Sequence, residues 1–267
     1  PALIGALLAG YSMASPENVG NRNEMVVGLC RNAAWALSNV ARGESTPAAP
    51  FLSMNHNIMS SSSPPGSLSV SLLTPHHLAH LLTAPERLDP PPSPSFGTKR
   101  PSHANNSSSS SMEDDLQPAT WTEVANEVCW LLAFLTAREE SAVDYLLESS
   151  SSRSMGRSTN ELCQALACRL HVSSAMATAA VGVAHFSSVD AAIRMAIPCL
   201  RIVGNVATAS DGQHVTSLLT ANSNAHVTTT IAMGSDHDKG LIPQSLAQLI
   251  SLGSSFSSIS TGTSHGT

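Results

Sequence analysis

Residues 32–43 read Asn32-Ala-Ala-Trp35-Ala-Leu-Ser38-Asn39-Val-Ala-Arg42-Gly43, and this stretch decides the architecture. It closes an apolar run over 22–42 that is rich in Ala and Leu. These are strong helix formers, and the run is far too long for a strand. Arg42-Gly43 supplies the stop. Two more runs of the same kind, 120–137 and 189–208, carry a related sequence. The first contains Glu127-Val-Cys-Trp130-Leu-Leu-Ala-Phe134-Leu-Thr, the second Pro198-Cys-Leu-Arg201-Ile-Val-Gly204-Asn205-Val-Ala. In each, a large side chain is followed four residues later by Asn or an aromatic ring.

That spacing puts both side chains on one helix face, one turn apart. Trp35 and Asn39 are thus expected to point the same way. An indole offers a flat surface to the methylene stem of Lys or Arg, with a cation–π contribution of ~0.5–2 kcal/mol. An Asn amide both donates and accepts, so it can grip the backbone of an extended peptide. Core packing alone accounts for a Trp on an Ala/Leu helix but does not demand Asn four residues later.

Shorter helices are expected over 72–83, 139–148, 160–172, 214–220 and 241–252, with Ser-, Pro- and Gly-rich sequence between them. The Ser60–Ser63 tract before Pro64-Pro65-Gly66, the Pro90-Pro91-Pro92 region with Ser107–Ser111, and the Ser149–Ser154 tract cannot repay the entropy of ordering. Together these features predict an all-α chain.

Composition narrows the function. Hydrophobic residues make up 42% of the 267, but only 4% are aromatic and 12% charged. With 13 Lys and Arg and a formal net charge of −6, a phosphate-binding surface for nucleic acid is not expected; the mild acidity is ordinary for soluble proteins and allows an acidic groove for a basic partner. The five cysteines (Cys30, Cys129, Cys163, Cys168, Cys199) form no CxxC and lie mostly in apolar runs, which fits a reducing compartment. No apolar run reads as long enough to span a bilayer. The start, Pro-Ala-Leu-Ile-Gly, lacks Met and a charged segment and reads as an internal cut rather than a signal peptide. His76-His77-xx-His80 has metal-like spacing without a convincing further ligand, and Asp236-His237-Asp238 and Lys99-Arg100-Pro101 read as solvated loops. Neither a GxSxG nor a Gly-rich phosphate loop is present, and no base can be assigned to any Ser in the tracts. No enzyme activity, cofactor or metal is therefore expected.

The ordered motifs resemble the importin-α (karyopherin-α) family. Ala33–Gly43 is similar to the family's third-helix motif with its Trp…Ser-Asn core. Glu127–Thr136 resembles the next repeat, where an aromatic replaces Asn, and Pro198–Thr208 the one after, where Arg replaces Trp before Gly-Asn. Trp35, Trp130 and Arg201 lie 95 and 71 residues apart. Removing the inserts brings both spacings towards the roughly 40–47 residues of armadillo repeats. About half of the chain carries the likeness.

The resemblance implies a right-handed armadillo-repeat α-solenoid with long disordered Ser/Pro-rich insertions, covering the middle of the family's repeat domain. The expected divisions are partial repeats over 1–51, a repeat over 52–148 with inserts at about 52–67 and 86–116, a repeat over 149–210 with a Ser-rich insert, a partial repeat over 211–253, and a disordered tail over 254–267. It implies an adaptor that binds Lys/Arg-rich nuclear localisation signals of cargo proteins for importin-β-dependent import, moving between cytoplasm and nucleus. Importin-β would engage an N-terminal segment absent from this sequence, and an export receptor would recycle the adaptor; no nucleic acid or membrane is implied. Trp35 and Asn39 match the last ladder pair of the major cargo site and Asn32 a backbone-contacting residue. Glu127 matches an acidic position facing a cargo lysine, while Trp130, Arg201 and Asn205 extend the groove towards the minor site, where Thr208 would begin to line it. Phe134 departs from the family's Tyr and lacks its hydroxyl. That departure and the inserts leave open an armadillo protein–protein interaction scaffold without signal recognition. A hydrolase using a loop Ser is a third alternative.

Overall fold

The Ala/Leu runs form helices whose ends are set by identifiable side chains. The computed structural model describes residues 2–14, 22–52, 72–85, 119–147, 160–182, 186–209, 212–221 and 240–261. The described helices are α1 (Ala2–Met13), α2 (Arg22–Arg42), α3 (Pro75–Leu82), α4 (Trp121–Thr136), α5 (Glu140–Leu147), α6 (Glu161–Gly182), α7 (Phe186–Thr208), α8 (Gly212–Leu219) and α9 (Leu241–Thr261). Among the described residues the fold is all-α, with one isolated bridge between Leu52 and Leu73. Apart from that Leu52, the expected inserts lie outside the described residues, as do the Lys99-Arg100-Pro101 and Asp236-His237-Asp238 loops.

Thr120 starts α4 with a capping box. Its hydroxyl accepts from the Glu123 N–H, and the Glu123 carboxylate accepts from the Thr120 N–H at 3.1 Å. Two orphan donors of the first turn are thereby satisfied. Thr74 caps α3 by accepting from the His77 N–H, and Pro75 fills the first turn, where its missing N–H costs nothing. The Asn160 carboxamide oxygen accepts from the N–H groups of Leu162 and Cys163 and opens α6.

Two boundaries differ from expectation. The helix expected over 160–172 continues to Gly182. Its small polar residues are absorbed by back-bonding: Ser173 donates to the Arg169 carbonyl, Ser174 to His171 and Thr178 to Ser174. The break expected between 253 and 254 is not a helix boundary, since α9 runs to Thr261 and Ser254 donates to the Ile250 carbonyl.

The packing forms two files. In one, α2 packs on α4 and α4 on α7. In the other, α3 packs on α6 and α6 on α9. Across the files α1 covers α2, α3 covers α4 and α6 covers α7, while the short α5 and α8 close one end of the layers. Between them lies one continuous apolar core. Trp121 is fully buried in it, with Tyr11 of α1 edge-on at 5.6 Å. Gly10 lets α1 approach α2 closely, because a Cβ there would collide with the Cys30 sulfur.

One expectation from composition is corrected. Val189–Thr208, 20 residues, is long and apolar enough by length and composition to cross a membrane. Here it lies within α7 and packs against α4 and α6, with Ala192, Ala196, Cys199, Ile202 and Val206 buried. Its hydropathy reflects the demands of a helix covered on two sides.

Candidate peptide-binding groove

The α2–α4–α7 file brings one face of each long helix to a common groove of about 450 Å³. From α2 come Trp35, Ser38, Asn39 and Arg42; from α4, Glu127, Trp130 and Phe134; from α7, Arg201. The repeated i, i+4 spacing is what places them there.

Trp35 is 58% exposed, so its indole is presented rather than packed. Asn39 is also exposed, and its amide donates to the Trp35 carbonyl at 2.8 Å. That bond fixes the amide beside the indole and leaves the Asn39 oxygen without a partner among the described residues. Trp130 and Phe134 stack with centroids 5.7 Å apart and planes inclined by 24°. The Phe134 ring therefore widens the Trp130 platform. The Arg201 guanidinium carbon lies 5.3 Å from the Trp130 ring centroid, a cation–π contact.

Glu127 is half-buried between α2 and α4. One of its oxygens accepts a 3.0 Å hydrogen bond from Ser38, whose hydroxyl also lies 2.9 Å from the Trp35 carbonyl. Burial raises the carboxyl above its usual pKa of 4.5, against the opposing pull of the Ser38 bond and the Arg31 charge; Glu123 adds a small push upward. Arg31 itself pairs with Glu123 at 3.5 Å. The groove thus combines two indoles, a phenyl ring, one partly desolvated carboxylate and two guanidiniums. It can stack on alkyl-ammonium stems, accept hydrogen bonds from an ammonium, and hydrogen-bond an extended backbone.

The structure gathers Trp35, Asn39, Glu127, Trp130 and Arg201. Asn32 is exposed on α2 but does not line the groove. Asn205 is turned away: its amide donates to the Ala133 carbonyl at 2.9 Å and to the Thr136 hydroxyl at 3.0 Å, tying α7 to α4. The expectation that Asn205 grips a peptide is corrected: it does not line the groove, and its amide is engaged by the Ala133 carbonyl and the Thr136 hydroxyl in the last turn of α4, a turn whose carbonyls lack helical partners. Thr208 is exposed, with its hydroxyl spent on the Gly204 and Asn205 carbonyls. Sequence reasoning missed Ser38 and Arg42 as groove residues. Arg42 lies seven residues after Trp35, two turns along the same face, so its spacing could have revealed it.

His76 lies beside Glu161 at 2.9 Å and packs edge-on to His80. No group of three or more His, Cys, Asp or Glu side chains able to hold a metal occurs among the described residues. No family model, curated protein or solved structure matches this chain.

Proposed function

We propose that this chain is an importin-α-like adaptor: a right-handed armadillo-type α-solenoid, not an enzyme, that binds extended Lys/Arg-rich peptides in the groove of α2, α4 and α7. The observation that carries the reading is the convergence of an exposed Trp35–Asn39 pair with the Glu127 carboxylate and the Trp130–Phe134 platform. A lysine stem lies along the Trp35 indole, its ammonium directed to the free Glu127 oxygen. Asn39 holds the peptide backbone. The two files of helices fit a solenoid because each long helix repeats the same step onto the next. By the sequence resemblance, the ligands are nuclear localisation signals of cargo proteins, the co-receptor is importin-β, an export receptor recycles the adaptor, and the protein shuttles between cytoplasm and nucleus.

A second reading is supported by one contact. Arg201 already occupies a face of Trp130, so the platform holds a cation of its own. This favours an armadillo-type scaffold whose partner does not depend on Lys or Arg. Titration of a lysine-rich extended peptide and of its Lys→Ala counterpart into the chain separates the two. Binding of the lysine-rich peptide alone supports the adaptor; equal binding of both, or of neither, removes it.

A further inference from the structure

Two of the five cysteines meet in the core. The sulfurs of Cys129 on α4 and Cys199 on α7 lie 3.7 Å apart, both side chains are buried, and both are free thiols. Packing does not ask for sulfur at this place. Aligning the long helices on Trp35, Trp130 and Arg201 makes Cys129 equivalent to Ala34 of α2 and Cys199 equivalent to Val128 of α4. Ala34 and Val128 are fully buried, so hydrocarbon suffices at the same positions of the α2–α4 step. The α4–α7 step carries two thiols instead.

The pair also differs chemically from the other buried thiols. Burial alone pushes Cys30 up to about 11 and Cys163 up to about 12, which keeps them protonated and unreactive. With Cys129 as donor, its S–H bond lowers the Cys199 thiol below the usual 9.0; burial opposes that, and the charge of the buried Arg169 on α6 assists it. The same hydrogen bond, together with burial, holds Cys129 protonated. Access comes from α7 itself. Pro198, next to Cys199, has no N–H to give to the Arg194 carbonyl, so the helix lacks a bond at this turn. Local opening there admits a molecule hardly larger than water.

We propose that Cys129 and Cys199 form a peroxide-oxidisable dithiol that closes to a reversible disulfide between α4 and α7. The Cys199 thiolate attacks one oxygen of hydrogen peroxide: an S–O bond forms, the O–O bond breaks and hydroxide leaves, giving a sulfenic acid. The Cys129 sulfur then attacks the Cys199 sulfur. The S–S bond forms, the S–O bond breaks, and the departing hydroxide takes the Cys129 proton as water. The first hydroxide takes the proton that Cys199 gave up, so two thiols lose two electrons and one peroxide becomes two waters. The sulfurs draw from 3.7 Å to about 2 Å. A small dithiol reverses the link by exchange and becomes a disulfide itself. Cys129 precedes Trp130 directly and Cys199 lies two residues before Arg201, so the link fixes the α4–α7 side of the groove. The chemistry does not rest on what the groove binds.

The test treats the full, folded chain with hydrogen peroxide, alkylates the remaining thiols, and maps tryptic peptides by mass spectrometry without reductant. Trypsin places Cys129 on the peptide 100–138 and Cys199 on 195–201. The expected product is these two peptides joined with the loss of two hydrogens, and separated again by dithiothreitol. Cys129→Ala with Cys199→Val installs the hydrocarbon pair of the α2–α4 step and is the folded control. Peroxide should raise the melting temperature of the wild type relative to that variant, because the link constrains the unfolded chain. Recovery of both cysteines alkylated after peroxide overturns the proposal. So do links to Cys30, Cys163 or Cys168 in their place, sulfinic acid without a link, or a melting temperature that peroxide shifts equally in the two chains.

Discussion

Replacing Trp35 with Ala separates recognition from stability. The indole is more than half exposed, and the Ser38 and Asn39 side chains bond to the Trp35 backbone carbonyl, which the substitution keeps. Ala is also the better helix former by roughly half a kcal/mol, so the melting temperature should stay within a few degrees of wild type. Binding should suffer. A lysine stem over the indole gains about 1 kcal/mol of cation–π attraction and ~0.8 kcal/mol for each of about two buried methylenes. The loss is then about 2–3 kcal/mol, or about 30- to 150-fold in dissociation constant. Fluorescence anisotropy with a labelled lysine-rich peptide measures the affinity, and a thermal melt of the same sample measures the fold. An unchanged affinity would refute the role of Trp35. A large fall in melting temperature would refute the premise that Trp35 is presented rather than structural.

Other expectations follow from the same geometry. Burial raises the Glu127 carboxyl, so its contribution to stability is present below its unfolded value near 4.5 and is lost as pH rises through its higher folded value. A bound ammonium favours the charged form. Peptide affinity should therefore fall on acidification towards pH 4.5, and Glu127→Gln should bind more weakly at neutral pH and lose that pH dependence; a wild-type affinity that stays flat contradicts the contact. Trp121→Ala, emptying a core site, should cost about 3–5 kcal/mol in urea unfolding. Thr120→Ala, breaking the capping box, should cost only about 1 kcal/mol. Burial pushes the Cys30 thiol up to about 11 and the Cys163 thiol up to about 12. Each is a raised folded value, so the stability it supports holds below the usual 9.0 and is lost as pH rises through the folded value; Cys30→Ala with Cys163→Ala should flatten that alkaline loss in melts.

The end of α2 was legible, and so was the presence of Trp35, Asn39, Glu127, Trp130 and Arg201 in the groove, whereas Ser38 and Arg42 were not. Arg22–Arg42 is bounded as its apolar run and Arg42-Gly43 stop predict. The i, i+4 spacing placed Trp130 and Phe134 on one face, and they stack. The extension of α6 through Ser173, Ser174 and Thr178 was not legible, because hydroxyls that bond back into a helix look like loop formers in a linear sequence. One of them, Ser174, also bonds to Gln248 of α9 at 2.8 Å, a tertiary partner no local pattern announces. The orientation of Asn205 was hidden for a related reason. Its position on the helix follows from spacing, but its bonds to the Ala133 carbonyl and the Thr136 hydroxyl of α4 depend on how closely α7 packs.

The central claim, that one groove across α2, α4 and α7 holds an extended basic peptide, is tested most directly by photo-crosslinking. A lysine-rich peptide with a photoreactive group at successive positions is bound, irradiated and mapped by mass spectrometry. Adducts confined to 35–42, 127–134 and the neighbourhood of Arg201, moving from one helix to the next as the group moves along the peptide, are the predicted result. Adducts on the outer helices, or a pattern indifferent to the position of the group, would contradict it.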